Sequence, residues 1–300
     1  MSAILAKILN ITGAVINIMN FTKMHGCKND FVIINCFNDN ANILTHNLNE
    51  LAASICDRRD GVGADGLIII KRSDKADAFM QIFNSDGTED TMCGNGIRCT
   101  AKYIYDNGLI DSHKAHTSIE TLSGIKNIDL VIQASRVNKI CVDMGIPELT
   151  SELPEAINIH NMQLKFTGVD TGTAHSVYFV EDNPAIHDIN TWPDSDFARE
   201  GVYFERHSRF PDYTTSDFIE ILSPSEINMR VYERGCGETM ACGTGSTASV
   251  FAGFILGKLS NSVTVHLKGG DLHIRVDKDK RCFMTGPAVE TFSGEFHYAL

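Results

Sequence analysis

The 300-residue sequence is poor in proline, with seven, and contains no low-complexity segment, so it offers no proline-rich linker. It is also short of positive charge. Twenty-six Lys and Arg against 38 Asp and Glu leave a net charge of -12. Phosphate backbones are held by clustered basic side chains, so nucleic acid is excluded as the expected partner, while a local pocket for a small molecule is not. A long unbroken apolar run is missing too. Residues 1–18 come nearest, but Lys7, Asn10 and Asn17 interrupt them, which rules out the expectation of a membrane span. The stretch also lacks a small-residue cleavage site, so it does not read as a secretory signal. Met19 opens a second start-like segment, and residues 1–18 are expected to be a dispensable extension. The nine cysteines are an odd number with no C-x2-C pair, which argues against a zinc knuckle. A chain this long needs no disulfide staples, so reduced thiols in a cytoplasmic protein are expected.

What is present is a globular composition. Hydrophobic residues make up 43% and charged residues 21%, enough to bury a full core in one large domain or two. Short runs rich in β-branched residues predict strands over 31–35, 67–71, 78–83, 128–133, 140–144, 177–180, 218–222, 263–267 and 272–276. Helices are predicted over 47–58, 96–107 and 245–257, the last two entered through glycine-rich turns. The pattern is α+β with strands dominating.

The chain repeats itself. Met92-Cys-Gly-Asn-Gly96 matches Ala241-Cys-Gly-Thr-Gly245, and the two cysteines lie 149 positions apart. Leu122 and Leu267, Gly124 and Gly269, and Val32 and Val177 all share an offset of 145. Several landmarks at nearly one offset predict two homologous domains, each presenting one Cys-Gly-x-Gly turn to a shared cleft.

Such a turn opening a helix directs free backbone N–H groups outward and adds the positive end of the helix dipole. The same field binds a carboxylate and favours a thiolate, lowering a cysteine from its free value of about 8.5. One such cysteine alone is more often a small buried residue in a tight turn. Two in register point to chemistry: Cys93 and Cys242 on opposite faces of one α-carbon, one as thiolate base and the other as thiol acid. The N–H groups of Gly94, Asn95, Gly243 and Thr244 would hold the carboxylate as carbanion charge grows beside it. No lysine sits in a context that suggests pyridoxal, so no cofactor is expected. Gly61-Val-Gly-Ala-Asp-Gly66 matches the dinucleotide fingerprint in letters only, because a helix precedes it and a strand follows.

The chain resembles the diaminopimelate epimerase family from Met19 to its end. Lys23-Met-His-Gly-Cys-Lys-Asn-Asp-Phe31, Gly61 to Gly66, Phe83-Asn-Ser-Asp-Gly-Thr-Glu89, Met92 to Arg98, Arg230-Val-Tyr-Glu-Arg-Gly235, Ala241 to Gly245 and Met284-Thr-Gly-Pro-Ala288 carry the likeness. The resemblance implies two pseudo-symmetric domains, each a β-rich, barrel-like sheet around a central helix. The expected boundaries are 19–138 completed by 287–300, and 139–286. It also implies a two-thiol mechanism on a small amino acid, with a homodimer common. Asn29, Asn84, Glu233 and Arg234 would contact the substrate, mainly at its distal end. Taken alone, the asparagines read as turn residues and the Glu–Arg pair as a solvated one.

Two positions depart from the family. Gly172-Thr-Ala-His175 stands where G-N-P-H is usual, and Thr215 stands where an asparagine follows Phe210-Pro211. Asparagine offers two donors and an acceptor, and threonine one short hydroxyl. Thr173 and Thr215 therefore suggest altered distal recognition. The leading expectation is a racemase for a polar or basic amino acid such as histidine, whose cation Glu233 would pair. The alternative is an epimerase converting LL- to meso-diaminopimelate with a drifted pocket. A non-catalytic amino-acid binding protein is the reading from another class, and retention of both cysteines argues against it. A phenazine-type isomerase does not use the cysteine pair, and the motifs around the proline racemase thiols differ. Cys93 and Cys242 are expected to form a disulfide when the empty site is oxidised. The other seven cysteines are expected to tolerate alanine at the level of catalysis.

Overall fold

A computed structural model describes residues 7–9, 15–37, 47–111, 113–186, 189 and 191–299. The chain divides into two compact units, Met1–Ile140 with Pro287–Leu300, and Cys141–Gly286.

The first unit holds β1 (Lys7–Leu9), β2 (Val15–Gly26), β3 (Asn29–Asn35), α1 (Leu48–Cys56), β4 (Gly66–Lys71), β5 (Ala78–Asn84), β6 (Glu89–Asp90), α2 (Gly94–Asp106), β7 (His116–Thr121), β8 (Gly124–Gln133) and the start of β9 (Arg136–Gly145), with the final strand Val289–Ala299. Of the expected extension, residues 1–6 and 10–14 lie outside the described residues. Lys7–Leu9 pairs with the first residues of β2, and β2 runs without a break through Met19, with Ile16 opposite Ala299 and Met19 opposite Phe296. β2 and β3 are antiparallel, β3 and β4 parallel, β4 and β5 antiparallel, β5 and β7 parallel, and β7 and β8 antiparallel.

The central strands read as continuous apolar runs because both faces are covered. Val32, Ile34, Leu67 and Ile69 pack in one cluster with Leu51 and Ile55 of α1. Ile68 and Ile82 alternate to the other face, where a Cβ on Gly96 of α2 would lie 3.1 Å from each. The glycine motif after α1 closes that helix: Val62 and Gly63 donate to Ile55 O at 2.9 and 3.1 Å, and Ala64 donates to Cys56 O at 3.0 Å. Only glycine fits at position 61, where a Cβ would fall 2.3 Å from Ser54 O. This loop caps a helix and then enters β4, the reverse of the nucleotide-binding order.

Asp30 of β3 ties this end of the unit together, paired with Lys23 at 2.7 Å and Arg58 at 2.9 Å. Burial works to raise its pKa, but the hydrogen bonds and charges of Arg58 and Lys23 outweigh that and hold it at about 2, against an ordinary 3.8. A depressed carboxyl contributes stability that is full above its unfolded value and lost as pH falls through its folded one. Thermal stability is therefore expected to drop between pH 3.8 and about 2. Asp30→Asn should flatten that limb, and an unchanged acid limb would count against the assignment.

The second unit continues with β10 (Glu148–Leu149), β11 (Glu155–Ile159), β12 (Met162–Asp170), β13 (Ala174–Phe179), α3 (Asp194–Glu205), β14 (Thr215–Ser223), β15 (Glu226–Glu233), β16 (Gly237–Glu238), α4 (Gly243–Ile255), β17 (Ser262–Leu267), β18 (Gly270–Val276) and β19 (Cys282–Gly286). β12 and β13 are antiparallel, β13 and β14 parallel, β14 and β15 antiparallel, β15 and β17 parallel, and β17 and β18 antiparallel. This is the pairing sequence of β2 to β8 over again, so the repeat in the letters is a repeat in topology. Each unit wraps its sheet about one largely buried helix, α2 touching β2, β3, β4, β5, β7 and β8, and α4 touching β12, β13, β14, β18 and β19. The core outside α4 is aromatic. Tyr178 stacks on Phe218 at 5.5 Å between centroids, and Phe197 and Phe204 meet Phe218 edge-on at 5.3 and 4.9 Å. The fold is the expected α+β class. Among the described residues no helix is long and apolar enough to cross a membrane.

Candidate active site

Each Cys-Gly-x-Gly turn places its cysteine at the N-cap of the central helix. Cys93 caps α2 with φ -132° and ψ 123°, and Cys242 caps α4 with φ -120° and ψ 115°. The sulfurs occupy the place of a capping oxygen: Gly96 N donates to Cys93 Sγ at 3.5 Å and Gly245 N to Cys242 Sγ at 3.4 Å. Glycine as the third residue of each helix, directly after the expected pairs Gly94-Asn95 and Gly243-Thr244, is a packing requirement. A Cβ on Gly245 would lie 2.5 Å from Asp217 Oδ1. All nine cysteines are thiols.

In the first unit the structure brings Asn29, Cys93 and Asn95 together. Asn29 Oδ1 stands 3.7 Å from Cys93 Sγ and accepts from Asn95 Nδ2 at 3.0 Å. Asn84, also expected here, ends β5 and donates to Thr88 Oγ1 at 3.0 Å rather than joining that cluster.

In the second unit Cys242 is buried against two carboxylates. Its thiol is 3.3 Å from Thr244 Oγ1, and the neighbouring Glu233 accepts from Thr239 Oγ1. Burial, then the charges of Glu233 and Asp217, push the Cys242 thiol well above its ordinary range. Burial likewise raises Glu233, against the hydrogen bonds from Thr239 and Cys242. Burial thus favours the neutral form of both neighbours, the thiol and the carboxyl. Behind them His175 Nδ1 lies 2.9 Å from Asp217 Oδ2, both side chains fully buried. With Nδ1 donating to Asp217, Nε2 is left to accept from the Thr173 hydroxyl at 3.0 Å. The Thr215 hydroxyl accepts from Arg234 N at 3.2 Å, and Arg234 Nη1 donates to Asp212 O at 3.3 Å.

Glu233, expected to contact the substrate, lies beside Thr239 Oγ1 and the Cys242 thiol. The sequence reading missed Asp65, Arg98, His175 and Asp217 as site residues. Asp65, Arg98 and His175 lay inside quoted motifs, so position could have flagged them. Asp217 had no local signal, because its partner lies 42 residues away and is joined only by the parallel pairing of β13 and β14. Among the described residues no group of three His, Cys, Asp or Glu could hold a metal.

Comparison with known proteins bears on this site. Over 291 residues the chain is 43% identical to the diaminopimelate epimerase of Pelotomaculum thermopropionicum, covering 93% of this chain and 99% of that one. It is 44% identical over 287 residues to the diaminopimelate epimerase of Desulfitobacterium hafniense, covering 92% and 97%. The hydroxyproline epimerase of Agrobacterium vitis shares the fold, with a TM-score of 0.71 over 94% of this chain and 93% of that one, at 13% identity. A duplicated sheet with a thiol capping each central helix, together with these relatives, defines an isomerase of the epimerase and racemase class. The model of the diaminopimelate epimerase family matches residues 21–150 and 167–291, and the chain belongs to that family.

Proposed function

We propose that the protein interconverts LL- and meso-diaminopimelate by passing the α-proton between Cys93 and Cys242. The observation that carries the reading is the duplicated geometry: two cysteines in the same capping conformation, each taking an N–H from the third residue of its own helix. In one direction a thiolate removes the α-proton and becomes a thiol, while the opposite thiol gives its proton to the other face and becomes a thiolate. The N–H groups of Gly94, Asn95, Gly243 and Thr244 hold the substrate carboxylate beside the growing charge. Glu233 takes the Cys242 proton when that sulfur must act as base, and His175 with Asp217 fixes the charge behind it. Asn29, Asn84, Arg234, Thr173 and Thr215 remain the residues proposed for substrate contact, and the proposed step uses no cofactor.

The two threonines weigh toward another amino acid such as histidine, and the relatives weigh more heavily against it. A chain 43% identical to a named diaminopimelate epimerase over nearly its full length supports diaminopimelate as substrate. The threonine hydroxyls are also engaged within the protein, on His175 and on Arg234 N. Each can brace a neighbour without reaching the substrate itself. The test is a panel of LL-diaminopimelate, L-histidine, L-lysine and L-arginine assayed separately by chiral chromatography with reductant present. Inversion of diaminopimelate at least about 100-fold faster than of the others is expected, since a site that leaves polar groups unpaired rejects a ligand by that order or more. Inversion of histidine with diaminopimelate inert would replace this reading with the histidine one.

A further inference from the structure

A chain of hydrogen bonds in the first unit runs from a carboxylate to a guanidinium. Asp65 Oδ2 accepts from Asn29 Nδ2 at 2.8 Å, Asn29 Oδ1 from Asn95 Nδ2 at 3.0 Å, and Asn95 Oδ1 from Arg98 Nη2 at 2.8 Å. A carboxylate only accepts and a guanidinium only donates. The two amides between them are therefore satisfied in one orientation each. Turning either over would set donor on donor or acceptor on acceptor at both of its ends. Both ends of the chain are anchored. Asp65 is held by Arg58 Nη2 at 2.7 Å and Asp30 N at 3.1 Å. Arg98 is wholly buried and also donates to Gly94 O at 3.0 Å and Pro287 O at 3.2 Å.

We propose that Asp65 and Arg98 are positioning residues for Cys93: acting through Asn29 and Asn95, they fix the Asn29 carbonyl oxygen, rather than its NH2, on the sulfur. This rests on Cys93 being one of the two proton carriers. An acceptor beside the sulfur binds the S–H form and opposes the thiolate, whereas a reversed amide would bring a donor and favour the thiolate. The arrangement holds the proton on Cys93 until substrate replaces these contacts. Arg98 and Cys99 of its own helix lie close enough to feel its charge, and Cys27 of the turn between β2 and β3 lies beside both of them. Burial pushes Cys99 up to about 12, so it stays neutral, and β4 and β5 set Ile68 and Ile82 against the same turn of α2.

The test reads the acidity of Cys93 without turnover. The intact protein is alkylated with iodoacetamide across a pH series, and modification at Cys93 and Cys242 is followed by peptide mass spectrometry. Asp65→Ala removes one of the two locks on the Asn29 amide, and Cys93 is expected to alkylate about tenfold faster below its midpoint, one pH unit's worth, with Cys242 unmoved. Asn29→Ala, which deletes the acceptor itself, should shift Cys93 the same way. The shift must persist at 1 M salt, where the Debye length of about 3 Å screens the loss of a partly exposed charge. A Cys93 profile unmoved in both variants, or a shift that salt abolishes, would overturn the proposal. Failure of the two-thiol reading would appear elsewhere, as inversion surviving in Cys93→Ala.

Discussion

Cys93→Ala and Cys242→Ala are each expected to lose inversion of diaminopimelate by about 1,000-fold or more, because each removes one of the two proposed proton carriers and general acid–base groups contribute roughly 100- to 10,000-fold apiece. The fold should survive. Alanine at an N-cap costs about 1 kcal/mol, small beside the stability of a domain. The losses should not look alike in detail. With one thiol gone, the other still faces its own side of the α-carbon, so each variant should exchange the α-proton of one configuration with solvent while inverting neither. Cys236→Ala, in an exposed turn, is the control and should keep full activity. Inversion near the parent rate in either active-turn variant would remove the mechanism.

Glu233→Gln is expected to lower kcat by about 100-fold, at the lower end of what a proton-transfer partner contributes. The sign of a second readout is opposite. Glu233 is one of the charges that raise Cys242, so its neutral replacement should let Cys242 ionise at lower pH and alkylate faster. A more reactive thiol in a slower enzyme is the signature of a lost proton acceptor. A distal substrate contact alone would raise KM and leave the Cys242 alkylation profile in place.

The strands with both faces covered were legible because β-branched runs such as Leu67 to Ile70 admit little else, and the turns because a glycine-flanked cysteine before a helix has few structural uses. The duplication was legible from offsets alone. α3 was not. Its buried residues Phe197, Gly201, Phe204 and Glu205 give a weak apolar stripe, and the close seat of Gly201 against the Tyr232 ring exists only after β15 has formed. The capping positions of the two sulfurs were legible, and their surroundings were blurred for the same reason. The partner of Glu233 is set by the path from β15 to α4, and that of His175 by a strand pairing across 42 residues. The threonines were the hardest residues to read. Residue type at 173 and 215 announced a lost asparagine, but not that one hydroxyl would rest on a buried imidazole and the other on a backbone N–H.

The most direct test is the initial fate of the α-hydrogen when LL-diaminopimelate turns over in heavy water with reductant present. Transfer between two sulfurs predicts that the first meso product carries one solvent deuterium at the inverted carbon, while the recovered LL substrate remains protiated. Product that retains the original hydrogen, or deuterium entering the substrate as fast as the product, would mean one base serving both faces and would contradict the account.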